Sequence, residues 1–307
     1  MKHLIFALAL LMSAPVSLAQ TSEHDDAASA EVLSDEEYAA AVAAFMAELE
    51  PRSGEIKISG APVTLNVPAG IIYFSPEDTS RILEDLWGNA PGYDQVGMLA
   101  IEGADLSVVE SWGAIISYEK TGYVSDANAR EIDYADLLDT MQAATRAQSK
   151  KNVHDGYPSM ELVGWATEPR YDADAHRLLW AKELVFDGNR EDPTLNYDMR
   201  VLGRGGVLSI NFVSNMSQLS SIENVAQDVL AAPQFNPGQS YGDYVVGDAK
   251  AAYGIAALVA GGTGAAALKK GGFFAALLLF LKKGWVLVLG FGAAVWAGIK
   301  RMFGPKA

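Results

Sequence analysis

Apolar and polar residues alternate along 195–202, a pattern typical of a β-strand whose two faces lie in different surroundings. Leu195, Tyr197, Met199 and Val201 share one face, and Asn196, Asp198 and Arg200 share the other. Further strand-like runs lie nearby, at 162–166, 178–186 and 207–213. Because Arg204-Gly205-Gly206 supplies a turn before the last run, the pattern predicts an antiparallel β-meander.

Shorter elements of both kinds are predicted in the rest of the chain. Ser34 and Glu37 form a capping-box pattern ahead of an amphipathic helix that Pro51 ends, and Ser75-Pro76 starts a second helix. Helical spacing recurs at 132–149 and 219–230, and strand-like runs lie at 55–58, 63–67, 71–74, 96–101 and 113–118. Strands grouped together with helices at their flanks predict an α+β fold.

The N-terminus has the pattern of a cleavable secretory signal, residues 1–19. Lys2 precedes the apolar stretch 4–12, and Ser17-Leu18-Ala19 places small residues where a signal peptidase reads them. The apolar stretch has roughly 10 residues, too few to span a bilayer. Residues 20–33 are polar without periodicity and predict a disordered acidic leader, which places the soluble α+β domain at 34–246.

The C-terminal segment 251–301 predicts a transmembrane helical tail. The apolar stretches 251–268 and 284–299 are borderline in length for membrane spans, and 271–281, framed by lysine pairs, predicts an interfacial segment. Segment 251–307 lacks Asp and Glu, and its basic residues are Lys269, Lys270, Lys282, Lys283, Lys300, Arg301 and Lys306. We therefore expect the membrane lipid bilayer to be a partner of this protein.

Charge is distributed unevenly between the two parts of the chain. All 38 acidic residues lie in 20–250, together with only 15 of the 23 basic ones. This acidity argues against a nucleic-acid partner, and the absence of cysteine excludes disulfides and thiolate chemistry. With a signal in front and a basic membrane tail behind, the expected location is the inner (cytoplasmic) membrane, with the domain facing the periplasm.

Small residues recur at four-residue spacing in both predicted spans. They are Ala257, Gly261 and Ala265 in the first span and Gly290, Ala294 and Gly298 in the second. Such spacing lets helix backbones approach closely and would permit self-association of the tail. Glycine and alanine are also frequent in membrane helices generally, so both interpretations stay open at this point.

Candidate chemistry is sparse. Asp172, Asp174 and His176 have a spacing that could bring three ligands to one divalent cation. The alternative is a polar turn in which aspartate caps backbone groups. The sequence contains no familiar catalytic or phosphate-binding motif, so we predict no catalytic residue and no cofactor.

Charged residues also interrupt two of the predicted meander strands. Lys182 lies in one of them, and Asp198 and Arg200 lie in the next. Cross-strand ion pairs on a solvated face would explain these residues, and a binding site is the alternative.

Several segments together resemble a family of uncharacterised, predicted membrane-anchored bacterial proteins that is known as a domain of unknown function. They are GYVSD at 122–126, WAKEL at 180–184, LNYDMRVLGRGGVL at 195–208, FNPGQSY at 235–241 and KAAYGIAALVAGG at 250–262. The resemblance covers nearly all of the mature chain. It implies a membrane anchor and a Gram-negative envelope setting, and it brings no activity, cofactor or catalytic residue with it.

Three hypotheses for function follow. The first is a membrane-anchored, non-enzymatic binding or envelope-maintenance module, whose partner would be an envelope protein. The second is a metal-assisted hydrolase that uses Asp172, Asp174 and His176. The third is a regulator of an oligomer formed in the membrane by the tail.

Overall fold

The computed structural model describes residues 35–87, 89, 94–108, 110–154 and 158–260. The helices are α1 Asp35–Ala47, α2 Pro76–Arg81, α3 Tyr134–His154, α4 Leu219–Ala231 and α5 Ile255–Val259. The strands are β1 Gly54–Lys57, β2 Val63–Val67, β3 Ile71–Phe74, β4 Gly97–Ile101, β5 Gly113–Glu119, β6 Tyr123–Ser125, β7 Met160–Asp172, β8 Arg177–Phe186, β9 Thr194–Leu202, β10 Val207–Asn215, β11 Pro233–Phe235 and β12 Lys250–Gly254. Mixed helices and antiparallel sheets confirm the α+β class.

The main sheet has seven strands in the order β3-β4-β5-β10-β9-β8-β7, and every neighbouring pair is antiparallel. Strands β7 to β10 lie side by side in chain order, which confirms the predicted meander. The other three strands come from the first half of the chain. They join the meander where β5 pairs with β10, with Ile116 opposite Ile210.

One face of this sheet is the apolar face that the alternation in β9 predicted. Leu195, Tyr197, Met199 and Val201 are all buried there. Helix α4 covers this face with Ile222 and Val229, together with a small antiparallel sheet of order β1-β2-β11. Burial of these side chains on both layers stabilises the packing, by about 1.5–3 kcal/mol for each large aliphatic side chain.

The opposite face carries two separate apolar clusters. Near β3, β4 and β5, helix α1 and the helical turn that follows α2 pack Phe45, Ile82 and Leu83 against Phe74 and Met98. Near β7 and β8, helices α3 and α5 pack against Trp180 and its neighbours. Between the two clusters lies the polar side of β9.

Helix α2 begins where the sequence predicts. The hydroxyl of Ser75 accepts a hydrogen bond from the backbone N–H of Asp78 at 3.1 Å, and Pro76 occupies the first turn. This cap satisfies one of the N–H groups that a helix start leaves without an intrahelical partner. A π-helical turn, Ile82–Leu86, continues the helix into the apolar cluster below it.

The last described residues form part of the folded domain. Strand β12 pairs in parallel with β6, and α5 buries Ile255, Leu258 and Val259 in the cluster around Trp180. The first ten residues of the predicted first span, 251–260, therefore form a strand and a short helix, and the domain extends beyond residue 246. Backbone pairing with β6 accounts for the extended conformation of 251–254.

The remaining membrane predictions fall outside the described residues. This applies to the signal 1–19, the leader 20–33, the rest of the first span, the interfacial segment 271–281 and the second span 284–299. No helix in the described part of the chain is both long enough and apolar enough to cross a membrane. Of the small residues, Ala257 is buried in the domain, and Gly261, Ala265, Gly290, Ala294 and Gly298 lie outside the described ranges.

Candidate functional site

The polar side of β9 is buried rather than solvated. Asp198 keeps only 3% of its surface exposed, and Asn196 and Arg200 are also buried. The interpretation of a solvated face is therefore wrong, because this row lies between the two apolar clusters of the second sheet face. The predicted cross-strand ion pair is present, with Lys182 Nζ 2.9 Å from Asp198 Oδ2.

Asp198 is the centre of this buried row. Its Oδ1 lies 3.2 Å from Nη2 of Arg200 and accepts a hydrogen bond from Nδ2 of Asn211 at 3.0 Å. Burial alone would raise the pKa of Asp198, but Lys182 and Arg200 outweigh it and hold the pKa below its usual value. The carboxylate is therefore ionised and compensated by two cations. We call Lys182, Asp198, Arg200, Ser209 and Asn211 the polar row.

Arg200 connects the row to its surroundings. Its guanidinium lies over the ring of Trp180, 4.9 Å from the centroid, and donates a hydrogen bond to the carbonyl of Met199 at 2.9 Å. Several polar atoms close to it are buried and have no hydrogen-bond partner among the described residues: Trp180 Nε1, Ser209 Oγ and Asn211 Oδ1. Buried polar groups are normally paired with protein, water or a ligand, so this region has hydrogen-bonding capacity to spare.

Glu119, at the end of β5, faces the same region. Burial raises its pKa to about 7, while Arg200 acts to lower it and Asp94 acts to raise it. Tyr253 of β12 is also affected by the charges of Glu119 and Arg200, and burial raises its pKa to about 12. Glu119 is thus a carboxyl group that changes charge near neutral pH beside the polar row.

A second feature lies at the end of the domain where β6 meets β12. Four rings stack in the order Tyr244, Tyr123, Tyr241 and His176, which we call the aromatic ladder. Neighbouring centroids are 4.1, 4.5 and 4.1 Å apart. At one end, Lys250 Nζ lies over the ring of Tyr244 at 5.2 Å. Stacking of this kind holds the rings in a fixed arrangement.

Asp126 and Tyr171 stand at the other end of the ladder. The hydroxyl of Tyr171 donates to Asp126 Oδ2 at 2.7 Å and lies 3.3 Å from Nδ1 of His176. Burial acts to raise the pKa of Asp126, but hydrogen bonds with Tyr171 and Tyr241 outweigh it and lower the pKa. Burial and the neighbouring carboxylate raise the pKa of Tyr171, so this hydroxyl remains a donor.

The β7–β8 turn explains how His176 reaches the ladder. Asp172 Oδ1 accepts hydrogen bonds from the backbone N–H groups of Asp174 and Ala175, at 2.9 and 3.0 Å. His176 then adopts a left-handed conformation with φ of 51°, which costs a non-glycine residue about 1–2 kcal/mol. Its backbone carbonyl accepts from the N–H of Leu202, so the strained residue is fixed against β9.

The three predicted metal ligands therefore have separate contacts and do not face a common point. Asp172 caps the turn, Asp174 is exposed, and His176 faces Asp126 and Tyr241. Within the described ranges, no group of three His, Cys, Asp or Glu residues could hold a metal ion. Sequence reasoning missed Asp126 and Tyr241 as partners of His176. The available signal was that both lie in segments that carry the family resemblance.

An exposed apolar loop borders the ladder. Val245 and Val246 directly follow Tyr244 and are 53% and 98% exposed. Asp248 fixes the loop, because its Oδ2 accepts from the N–H of Val245 at 3.0 Å and its carboxylate binds Arg204 at 2.7 and 3.0 Å. The two valines are therefore presented to solvent by a hydrogen-bonded loop.

Comparison with known proteins places this domain in a family. The family model described as a protein of unknown function, DUF2167, matches residues 50–293. The chain belongs to this family. The DUF2167 match includes the polar row, the aromatic ladder and the loop at Val245. No curated protein sequence matches the chain.

Solved structures of other proteins show a limited likeness. The PsbP protein of the cyanobacterium Synechocystis sp. PCC 6803 is 14% identical, with a TM-score of 0.32, over 61% of this chain and 92% of that protein. The Ran-binding protein Mog1p of Saccharomyces cerevisiae is 11% identical, with a TM-score of 0.32, over 64% of this chain and all of that one, 100%.

Proposed function

We propose that this DUF2167 protein is a non-enzymatic binding module of the bacterial envelope, tethered to the inner membrane by its tail. The domain faces the periplasm, and its partner is an envelope protein. The observation that carries the proposal is the aromatic ladder bordered by the exposed Val245–Val246 loop. The ladder and this loop together are the proposed binding surface.

This surface has the composition that protein interfaces favour. Tyrosine is enriched at interfaces because it offers a large contact area with little side-chain entropy to lose. Stacking in the ladder and the strand pairing behind it reduce that entropy further. Val246 is nearly fully exposed, so covering it removes apolar area from water at about 25 cal/mol per Å².

A protein suits this surface better than a sugar. Carbohydrate recognition by aromatic residues uses an open ring face, on which the sugar lies flat. In the ladder, the rings of Tyr123 and Tyr241 each lie between two others, and Lys250 lies over Tyr244. Tyr241 is buried and its hydroxyl donates to the carbonyl of Val124, but Tyr123 and Tyr244 are half-buried and the two valines are exposed. These residues suit a side-chain surface with mixed apolar and polar groups.

The tether rests on the sequence of the tail and on where the domain ends. Strand β12 begins at Lys250 beside the ladder, and α5 follows it into the core. The apolar and basic residues from 261 onward continue from that buried helix. The surface and the base of the tail therefore belong to one folded unit, which suits a module that is held at a membrane while it binds.

Site-specific photo-crosslinking in intact cells tests the proposed surface. A photoreactive amino acid at Val246 should give a discrete adduct with another protein, whereas the same residue at Val153 of α3, which is 55% exposed, should not. Substituting Tyr244 by alanine should weaken the adduct at Val246. Equal labelling at both positions, or no adduct at Val246, would contradict the proposal.

The hypothesis of a tail-formed oligomer concerns residues outside the described ranges and stays a prediction. The hydrolase hypothesis gains no support from the geometry around His176, because Asp172 is engaged in its turn. Calorimetric titration with Mn²⁺ or Zn²⁺ would revive it if binding were lost in His176→Ala.

A further inference from the structure

The polar row contains more positive than negative charge. Lys182 and Arg200 both pair with Asp198, which can balance only one of them. Buried charges are costly unless they are compensated. Glu119 could supply the second negative charge, but burial raises its pKa to about 7, so near neutral pH it is often protonated and neutral.

Two buried hydrogen-bond donors without a partner among the described residues lie on the strands that flank Arg200. Strand register places Trp180 of β8 opposite Asp198, and Ser209 of β10 opposite Arg200. Trp180 Nε1 and Ser209 Oγ are both buried without a partner in the described part of the chain. An N–H, a hydroxyl and a guanidinium therefore come from three adjacent strands.

We propose that the polar row binds a small monovalent anion, such as a carboxylate, beside Arg200, and that binding is linked to protonation of Glu119. Trp180 and Ser209 donate to the anion, and Arg200 supplies the charge. This site is independent of the partner-binding surface formed by the aromatic ladder. The side chains of Lys182 and Arg200 keep 14% and 11% of their surface exposed, so the polar row borders solvent at its two cations.

The protonation state of Glu119 should change the affinity for the anion in one defined direction. When Glu119 is protonated, the row has one uncompensated positive charge and attracts an anion. When Glu119 ionises, its carboxylate balances Arg200, and the anion is repelled. Among the described residues, the other titratable groups that act on Glu119 are Asp94 and Tyr253. Lys182 and Asp198 compensate one another, so the affinity for the anion should fall as pH rises through neutrality.

A cation is a poor candidate for the same place. Trp180 Nε1 and the guanidinium of Arg200 can only donate hydrogen bonds, and Asp198 is already engaged by Lys182, Arg200 and Asn211. Asn211 Oδ1 is an unpaired acceptor among the described residues, but it is a single uncharged oxygen beside two cations. A divalent anion would exceed the single uncompensated charge of the row. The hydrogen-bond donors and the single uncompensated positive charge of the polar row therefore both favour a small monovalent anion.

Isothermal titration calorimetry on the full-length chain tests this site. Sodium formate and sodium chloride are titrated separately at about pH 6 and about pH 8, on either side of neutrality, at matched ionic strength. Binding should be at least about tenfold tighter at the lower pH, the equivalent of one pKa unit. Formate alone would identify a carboxylate site, and equal binding of chloride would identify a general monovalent-anion site.

Variants test whether the polar row binds an anion or only stabilises the fold. Glu119→Gln should bind the anion as tightly at the higher pH as the wild type does at the lower one, a gain that misfolding cannot produce. Trp180→Phe keeps the ring under Arg200 but removes the N–H, and should weaken binding by about tenfold. Trp165→Phe is the matched control, since Trp165 lies opposite Lys182 in the neighbouring strand but its Nε1 already donates to the carbonyl of Tyr134 at 3.1 Å and is not free for the anion.

The proposal is overturned if neither salt binds to the wild-type chain at either pH. It is also overturned if binding is independent of pH, or if Trp180→Phe and Trp165→Phe bind equally well.

Discussion

The imidazole Nδ1 of His176, in the β7–β8 turn, lies 3.6 Å from the carboxylate Oδ2 of Asp126, which follows β6. The hydroxyl of Tyr171 contacts both groups and donates to the carboxylate. This contact fixes one end of the aromatic ladder, and the strained backbone of His176 is maintained at the same place. Strain that surrounding contacts hold in position is typical of functional surfaces.

Asp126 should make stability depend on pH in the acid range. Because its pKa is lowered in the folded state, its contribution is fully present above the unfolded value of about 3.9 and is lost as pH falls through the folded pKa. We expect wild type to lose more unfolding free energy than Asp126→Asn between about pH 4 and about pH 2. Urea unfolding across this range measures the difference. Asp139→Asn on α3 serves as the control, and parallel pH profiles for all three proteins would contradict the prediction.

Replacing Asp198 by alanine should strongly destabilise the domain. The substitution leaves Lys182 and Arg200 buried without their carboxylate, and breaking such a buried pair costs about 3–5 kcal/mol. The surface pair of Arg190 with Glu161 provides the comparison, since both side chains are largely exposed. Glu161→Ala should cost less than about 1 kcal/mol. Similar denaturant midpoints for the two variants would show that the polar row contributes little to stability.

Gly206 should not tolerate a larger residue. A Cβ atom at this position would lie 2.1 Å from the backbone carbonyl oxygen of Glu119, which cannot move without disrupting the β5–β10 pairing. We expect Gly206→Ala to destabilise the domain by about 3 kcal/mol, the upper end of the cost of overpacking. Gly164→Ala is the control, because a Cβ added there would have no atom of the described residues within 4 Å, its two chain neighbours aside. Thermal unfolding of both variants distinguishes a steric effect from a general cost of losing glycine.

Residues 247–260 should be needed for the stability of the domain. A chain that ends at Ala260 retains β12 and α5, whereas one that ends at Val246 loses the buried side chains of Tyr253, Ile255, Leu258 and Val259. The longer chain should unfold cooperatively, and the shorter one should lose about 1.5–3 kcal/mol for each large side chain removed from the core. Equal urea midpoints would place the end of the domain at residue 246 instead.

The local elements of this protein could be predicted from its sequence. The alternation in β9, the turn at Arg204-Gly205-Gly206 and the cap at Ser75 depend on residues close together in the chain. Periodicity and capping report that local information directly. The meander, the first turn of α2 and the α+β class were correct for this reason.

Tertiary structure alone decided the burial and the partners of the candidate sites. The same alternation that predicted β9 could not show that Asp198 and Arg200 face a second layer, because polar residues alternate in the same way on a solvated face. Strands β6 and β12 are short and are defined by their pairing with each other, so no local pattern indicates them. Tyr241, Asp126 and His176 come into contact because the fold brings three distant segments of the chain together. No pattern in the sequence shows which distant segments lie side by side.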